Sequence, residues 1–184
     1  KMIQSLQRTS RRLRSVMILA VSAVAPVTIA MGASTPQPYP GEAAFRDLYQ
    51  ELVETNTTLS VGSCTAAAEK MAARLQRAGM PAASMQILAP AEFPKRGALI
   101  ASYPGKDAKL EPIMLLAHID VVEARREDWV RDPFTLVEED GFFYARGASD
   151  DKAMASIFTD LLVRWSEQQY RPQRGVTLAL TCGE

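Results

Sequence analysis

An α/β fold with a mixed, partly parallel sheet flanked by helices is predicted by three observations. Short apolar runs of strand length recur between residues 85 and 182. Segments with helical spacing precede and interrupt them. One run, IMLLA at Ile113–Ala117, carries no polar residue and is bounded by Pro112 and His118, the pattern of a strand buried on both faces of a parallel sheet. The composition agrees. Of 184 residues, 47% are hydrophobic and 23% charged, which excludes wholesale disorder and repeat architectures. Charge is unevenly spread. Residues 1–33 hold five basic residues and no acidic one, so the remainder is acidic by five although the whole is neutral. An acidic body excludes nucleic acid as the main partner, because phosphate binding needs clustered Lys and Arg.

In chain order, Arg8, Arg11, Arg12 and Arg14 precede sixteen charge-free residues, Val16–Met31. A basic head before an apolar stretch of this length predicts an export signal over 1–33, cut near Ala33. The stretch is short for a membrane span, which needs about 20 apolar residues, and Pro26 interrupts it. The expected compartment is therefore periplasmic or extracellular, an uncleaved anchor being the alternative. Residues 34–42, STPQPYPGE, read as an extended linker, leaving 43–184 as the folded body.

Phe45, Leu48, Tyr49, Leu52 and Val53 fall on one helical face. After a turn from Asn56 to Gly62, Ala68, Met71, Ala72 and Leu75 mark a second helix stopped by Gly79. Strands are predicted at Met85–Leu88, Ala98–Tyr103, Ile113–Ala117 and Phe142–Ala145. Next comes an amphipathic helix whose Met154, Ile157, Phe158, Leu161, Leu162 and Trp165 share a face, with Asp160, Arg164 and Glu167 opposite. A last strand covers Val176–Cys182. Cys64 and Cys182 are two residues far apart, and two buried thiols are expected rather than a disulfide.

Chemistry concentrates at strand ends. His118, the single histidine, follows IMLLA, with Asp120 two residues later. Ligand sites in open α/β sheets lie beyond the carboxyl ends of strands, and a nearby carboxylate can fix a metal-binding imidazole through its second nitrogen. Asp150 and Asp151 stand side by side before the long helix, where a helix N-terminus or a divalent cation offsets their repulsion. Glu184 follows the last strand. Singly, each is an ordinary residue at the end of an element. Jointly, they are imidazole and carboxylate donors gathered at one rim, a set that suits zinc, with cobalt or manganese as alternatives.

The stretches LLAHIDVV, DWVRDPFTLVEEDGFFYARGASDDKA and LALTCGE resemble the dizinc metallopeptidases and amidohydrolases of the aminoacylase, carnosinase and carboxypeptidase type. The resemblance runs from about Phe45 to Glu184 and is strongest from Leu115 onward. It implies that His118 binds one zinc, that Asp120 orients His118, and that Asp150 bridges two zincs with a cis peptide after it. It also implies that Glu184 is the general base. Ala153 departs from the family, which usually has glycine there. The remaining ligands, and an inserted lid and dimerisation domain, would lie downstream. The chain is therefore expected to be the N-terminal part of a zinc-exopeptidase-like catalytic domain, inactive by itself. The implied activity of the whole protein is hydrolysis of peptide or N-acyl amino acid amide bonds by water activated between two zinc ions, in a possible homodimer. The alternative is a secreted non-catalytic binding module on the same fold.

Overall fold

The computed structural model describes residues 39–183. The proposed signal over 1–33, most of the linker and Glu184 lie outside the described residues.

Two helices come first, α1 (Glu42–Glu54) and α2 (Cys64–Arg77). In α1, Leu48, Tyr49, Leu52 and Val53 are buried, the stripe read from their spacing. The Ser63 hydroxyl opens α2 by accepting the Ala66 amide, satisfying one of the orphan donors of a first turn. Gly79, with φ 102°, takes the left-handed conformation that ends this helix at little cost.

Strands β1 (Met85–Leu88), β2 (Ala98–Tyr103) and β3 (Ile113–His118) follow, then a small hairpin of β4 (Val137–Glu139) and β5 (Phe142–Tyr144), helix α3 (Lys152–Glu167) and strand β6 (Val176–Thr181). The main sheet runs β1-β2-β6-β3. β1 and β6 pair antiparallel with β2, whereas β3 and β6 are parallel. The sheet is thus mixed, as predicted. The crossover from β3 to β6 carries the hairpin and α3, and the parallel pair brings two carboxyl ends to one rim.

Register explains the core. Leu99 and Ala117 both face Leu180, and Ala101 and Leu115 both face Leu178. These rows join Leu48 and Leu52 of α1, Ala67, Ala68, Met71 and Leu75 of α2, and Ala155 and Leu162 of α3 in one cluster.

Two expectations are corrected. β3 is an edge strand, not a strand covered on both faces, and Met114 and Leu116 are 63% and 57% exposed. An uninterrupted apolar run reports the affinity of both faces for cover, not which element supplies it. The strand predicted at Phe142 is present as β5, in the separate β4–β5 hairpin turned at Asp140-Gly141, both with positive φ. In α3 the buried stripe is Lys152, Ala155, Ser156, Thr159, Asp160 and Leu162, while Met154 and Ile157 are exposed. α3 packs on both α1 and the sheet, and its small side chains permit that close approach where larger ones would hold the neighbours apart.

Cys64 and Cys182 form a disulfide with Cα atoms 6.0 Å apart, correcting the expectation of free thiols. The first residue of α2 meets the residue after β6, a proximity created by the α2–sheet packing and invisible in a sequence separation of 118.

Candidate metal centre

The rim at the ends of β3 and β6 is built from short segments tied to one another. His118 pairs with Thr181 at the last position of the parallel ladder. The chain beyond β3 is then held from two sides. The Ile119 amide donates to the Thr181 carbonyl at 2.9 Å, and Thr57 Oγ1 donates to the Ile119 carbonyl at 2.6 Å. Val121 N donates to the Thr57 carbonyl at 3.4 Å.

His118 is partly buried, and its ring has two distinct environments. Nδ1 lies 3.2 Å from the Asp120 carbonyl oxygen and 3.5 Å from its Oδ1. Nε2 faces Asp150 Oδ1 at 3.1 Å. Acceptors stand at both ring nitrogens; with a cation between Nε2 and Asp150, the acceptors beside Nδ1 would hold the ring proton there and Nε2 would present its lone pair to the ion.

Asp150 arrives from the other direction. After β5 the chain turns through Gly147, whose φ is 74° and where a Cβ would stand 2.4 Å from Val121 Cγ1. Only glycine fits both the conformation and the approach. The Asp150–Asp151 peptide is cis, the form implied by the family resemblance. The Asp150 side chain is 80% exposed, reaching across the rim to His118. Asp151 is at the N-cap of α3 but makes no side-chain cap bond there. Its Oδ2 accepts the His118 amide at 3.3 Å, so it fastens the end of β3 to the start of α3.

His118, Asp120 and Asp150 therefore come together at one rim. Gly183, with φ 118°, directs the chain beyond β6, and Glu184 follows it outside the described residues. Sequence reasoning missed Lys152. Its side chain is fully buried, and Nζ donates to the carbonyls of Thr55 at 2.7 Å and Val53 at 3.4 Å. Burial, and then the charge of Lys70, push its ammonium down to about 7. Its place in a string beside two aspartates was the available signal.

The donors fit a divalent ion as part of a ligand set. Two ligands of a tetrahedral zinc at about 2.0–2.2 Å stand about 3.3 Å apart, close to the observed separation of His118 Nε2 and Asp150 Oδ1. Among the described residues no group of three or more His, Cys, Asp or Glu side chains is placed to hold a metal ion. A complete set would need ligands from outside residues 39–183.

Residues 114–184 match the model of Peptidase family M20/M25/M40, and the resemblance read from the sequence is borne out. The N-fatty-acyl-amino acid synthase/hydrolase PM20D1 of Mus musculus is 42% identical over 76 residues, covering 41% of this chain and 15% of that protein. Aminoacylase-1 of Homo sapiens is 30% identical over 86 residues, covering 46% of this chain and 21% of that protein. This chain thus spans a small part of the relatives' length. Among solved structures, human carnosine dipeptidase 1 superposes with a TM-score of 0.58 at 21% identity, covering 77% of this chain and 32% of that one. The M20 family metallo-carboxypeptidase Sso-CP2 of Sulfolobus solfataricus gives 0.62 at 16% identity, covering 75% and 30%. The mixed sheet and its helices are those of this fold.

Proposed function

With residues 114–184 matching Peptidase family M20/M25/M40 as premise, we propose that the whole protein is a metal-dependent hydrolase of amide bonds. Its substrates are peptides or N-acyl amino acids, and its ions are two zincs. The observation that carries the reading is the approach of His118 Nε2 to Asp150 Oδ1, 3.1 Å apart at the sheet rim. When bound, zinc would supply a Lewis acid for the scissile carbonyl and lower the pKa of water.

The chain's own residues have separate tasks. His118 and Asp150 would hold the ions. Asp120 would keep the Nδ1 proton of His118 in place, so that Nε2 could give its lone pair to an ion. Asp151, through the His118 amide, keeps β3 and α3 from separating. Glu184 would take the proton of the attacking water and return it to the leaving nitrogen. The Cys64–Cys182 disulfide supports a site of action in an oxidising compartment, in keeping with an export signal over 1–33.

In the full-length protein, Glu184→Gln should abolish turnover while metal analysis still finds the ions bound. Wild-type-like turnover would remove Glu184 from the mechanism. Asp150→Ala should lose metal. A wild-type protein that binds no divalent ion would instead favour the non-catalytic binding module.

A further inference from the structure

The two strand ends that form the rim are secured unequally. Beyond β3, Ile119 is hydrogen-bonded to Thr181 and Thr57, and Val121 to Thr57. The His118 amide is held by Asp151. Beyond β6 the ladder stops at Thr181. Among the described residues, no backbone hydrogen bond reaches Cys182 or Gly183. A Cβ placed on Gly183 would meet nothing within 4 Å, and its φ of 118° is one that glycine adopts freely. This glycine is the last joint before Glu184, and among the described residues no packing holds it.

One covalent bond holds the residue before it. Cys182 is joined to Cys64, the first residue of α2, which is firmly seated and only 2% exposed. On one side of Cys64, the Ser63 hydroxyl accepts the Ala66 amide, and the Ser63 amide donates to the Asn56 carbonyl at 2.9 Å. On the other side, Thr65 Oγ1 donates to the Pro94 carbonyl at 2.6 Å and accepts the Gly97 amide at 2.8 Å. The Thr65 amide donates to the Lys95 carbonyl at 3.2 Å. The helix itself buries Ala67, Ala68, Met71 and Leu75 in the core. The disulfide thus lends the fixity of α2 to a segment that has little of its own.

The crosslink also lies beside the candidate metal centre. Cys64, Cys182, Gly183 and Asp120 line one cavity of about 610 Å³, and Asp120 is the residue that meets Nδ1 of His118. Since α2 already packs on β2, stability alone does not require a crosslink at this end of the sheet.

We propose that Cys64 and Cys182 are positioning residues for Glu184: their disulfide holds the chain leaving β6 so that the base stays within hydrogen-bond reach of the attacking water. This rests on the hydrolase reading and deepens it. A general base works only within such reach, and a misplacement of about 1 Å can cost about a hundredfold in rate. Opening the crosslink should therefore slow the chemical step more than it weakens substrate binding.

The test uses the full-length protein with zinc in excess. In Cys64→Ala/Cys182→Ala, kcat for amide hydrolysis should fall at least about tenfold while KM changes little. Leu75→Ala, which empties a buried position of the same helix, controls for lost stability. It should lower the melting temperature yet keep kcat wherever it remains folded. Amide hydrogen exchange should quicken at residues 182–184 in the double variant and stay as in wild type at residues 113–118. Wild type treated with a trialkylphosphine gives the same readings should the double variant not fold. The phosphine gives two electrons to the disulfide and takes an oxygen from water, leaving two thiols, and reoxidation should restore both kcat and slow exchange. An unchanged kcat, or an equal fall in folded Leu75→Ala, would overturn the proposal, as would exchange at residues 182–184 that ignores the disulfide. In a wild type without amidase activity the hydrolase reading fails and the exchange alone decides: quickening supports the tether, and its absence refutes it.

Discussion

Lys152 shows how much a single side chain behind the site can hold together. Its ammonium reaches from the first residue of α3 to the carbonyls of Val53 and Thr55 at the end of α1. Lys152→Met keeps the hydrocarbon but strands the Thr55 carbonyl. That loss should cost about 1–3 kcal/mol, moderated because a costly buried charge disappears with it. Lys152→Ala adds a cavity and should destabilise more. Urea denaturation of the two variants checks the order. Gly147 makes the same point through backbone. Gly147→Ala must place a methyl against Val121 in a left-handed conformation, so it should lower stability by more than about 1 kcal/mol and weaken metal retention through displacement of Asp150. Unchanged metal content in that variant would show that the 145–150 loop tolerates the shift.

At this scale the sequence was informative wherever chemistry and position coincided. His118, Asp120 and Asp150 are each ordinary at the end of an element, and it was their joint occurrence at successive ends that pointed to one rim. Asp151 holds the N-cap position of α3, yet its side chain fastens β3. Its partner is a backbone amide 33 residues away, and no local pattern encodes such a partner. Lys152 gave only the faint signal of its place beside two aspartates, since a buried amine satisfied by carbonyls looks, in sequence, like a solvated one.

Among elements, α1 and α2 were legible because each buries one continuous stripe at helical spacing. α3 was legible in extent but not in orientation. It packs on α1 as well as the sheet, and Ala155, Ser156 and Thr159 occupy the close contacts while Met154 and Ile157 face outward. The α2–β6 connection was misread altogether. With its cysteines 118 positions apart in the sequence, the disulfide removes a long loop's freedom from the unfolded chain, about 4–5 kcal/mol by chain-entropy reckoning. The double variant Cys64→Ser/Cys182→Ser should therefore melt well below wild type, and reductant should lower the wild-type melting temperature toward it. A melting temperature indifferent to reductant would mean that the crosslink adds little beyond the packing already present.

Over the whole molecule, the reach of sequence likeness and of fold likeness differ. The family model covers residues 114–184, whereas the superposition on human carnosine dipeptidase 1 takes in 77% of the chain. The physical reason lies in what each part must do. Core rows such as Leu99–Leu180–Ala117 require apolar volume, which several residues supply. A rim that holds metal, as proposed, would require particular donors at particular places. The uncovered side of β3 is a further whole-molecule property. Met114 and Leu116 on an edge strand offer both apolar surface and free backbone groups. The 184-residue chain produced by itself should sediment with increasing mass as its concentration rises, and Met114→Lys should suppress this. Monomeric sedimentation of the unsubstituted chain at high concentration would contradict it.

The pairing of His118 with Thr181 also sets where this protein can accept change in length. One residue added within β6 would advance everything after it by about 3.3 Å and turn each following side chain to the opposite face. One residue added at the Asp140-Gly141 turn would lengthen a small hairpin and leave the ladder between β3 and β6 intact. Natural or engineered insertions should accordingly collect at that turn and be purged from the paired strands.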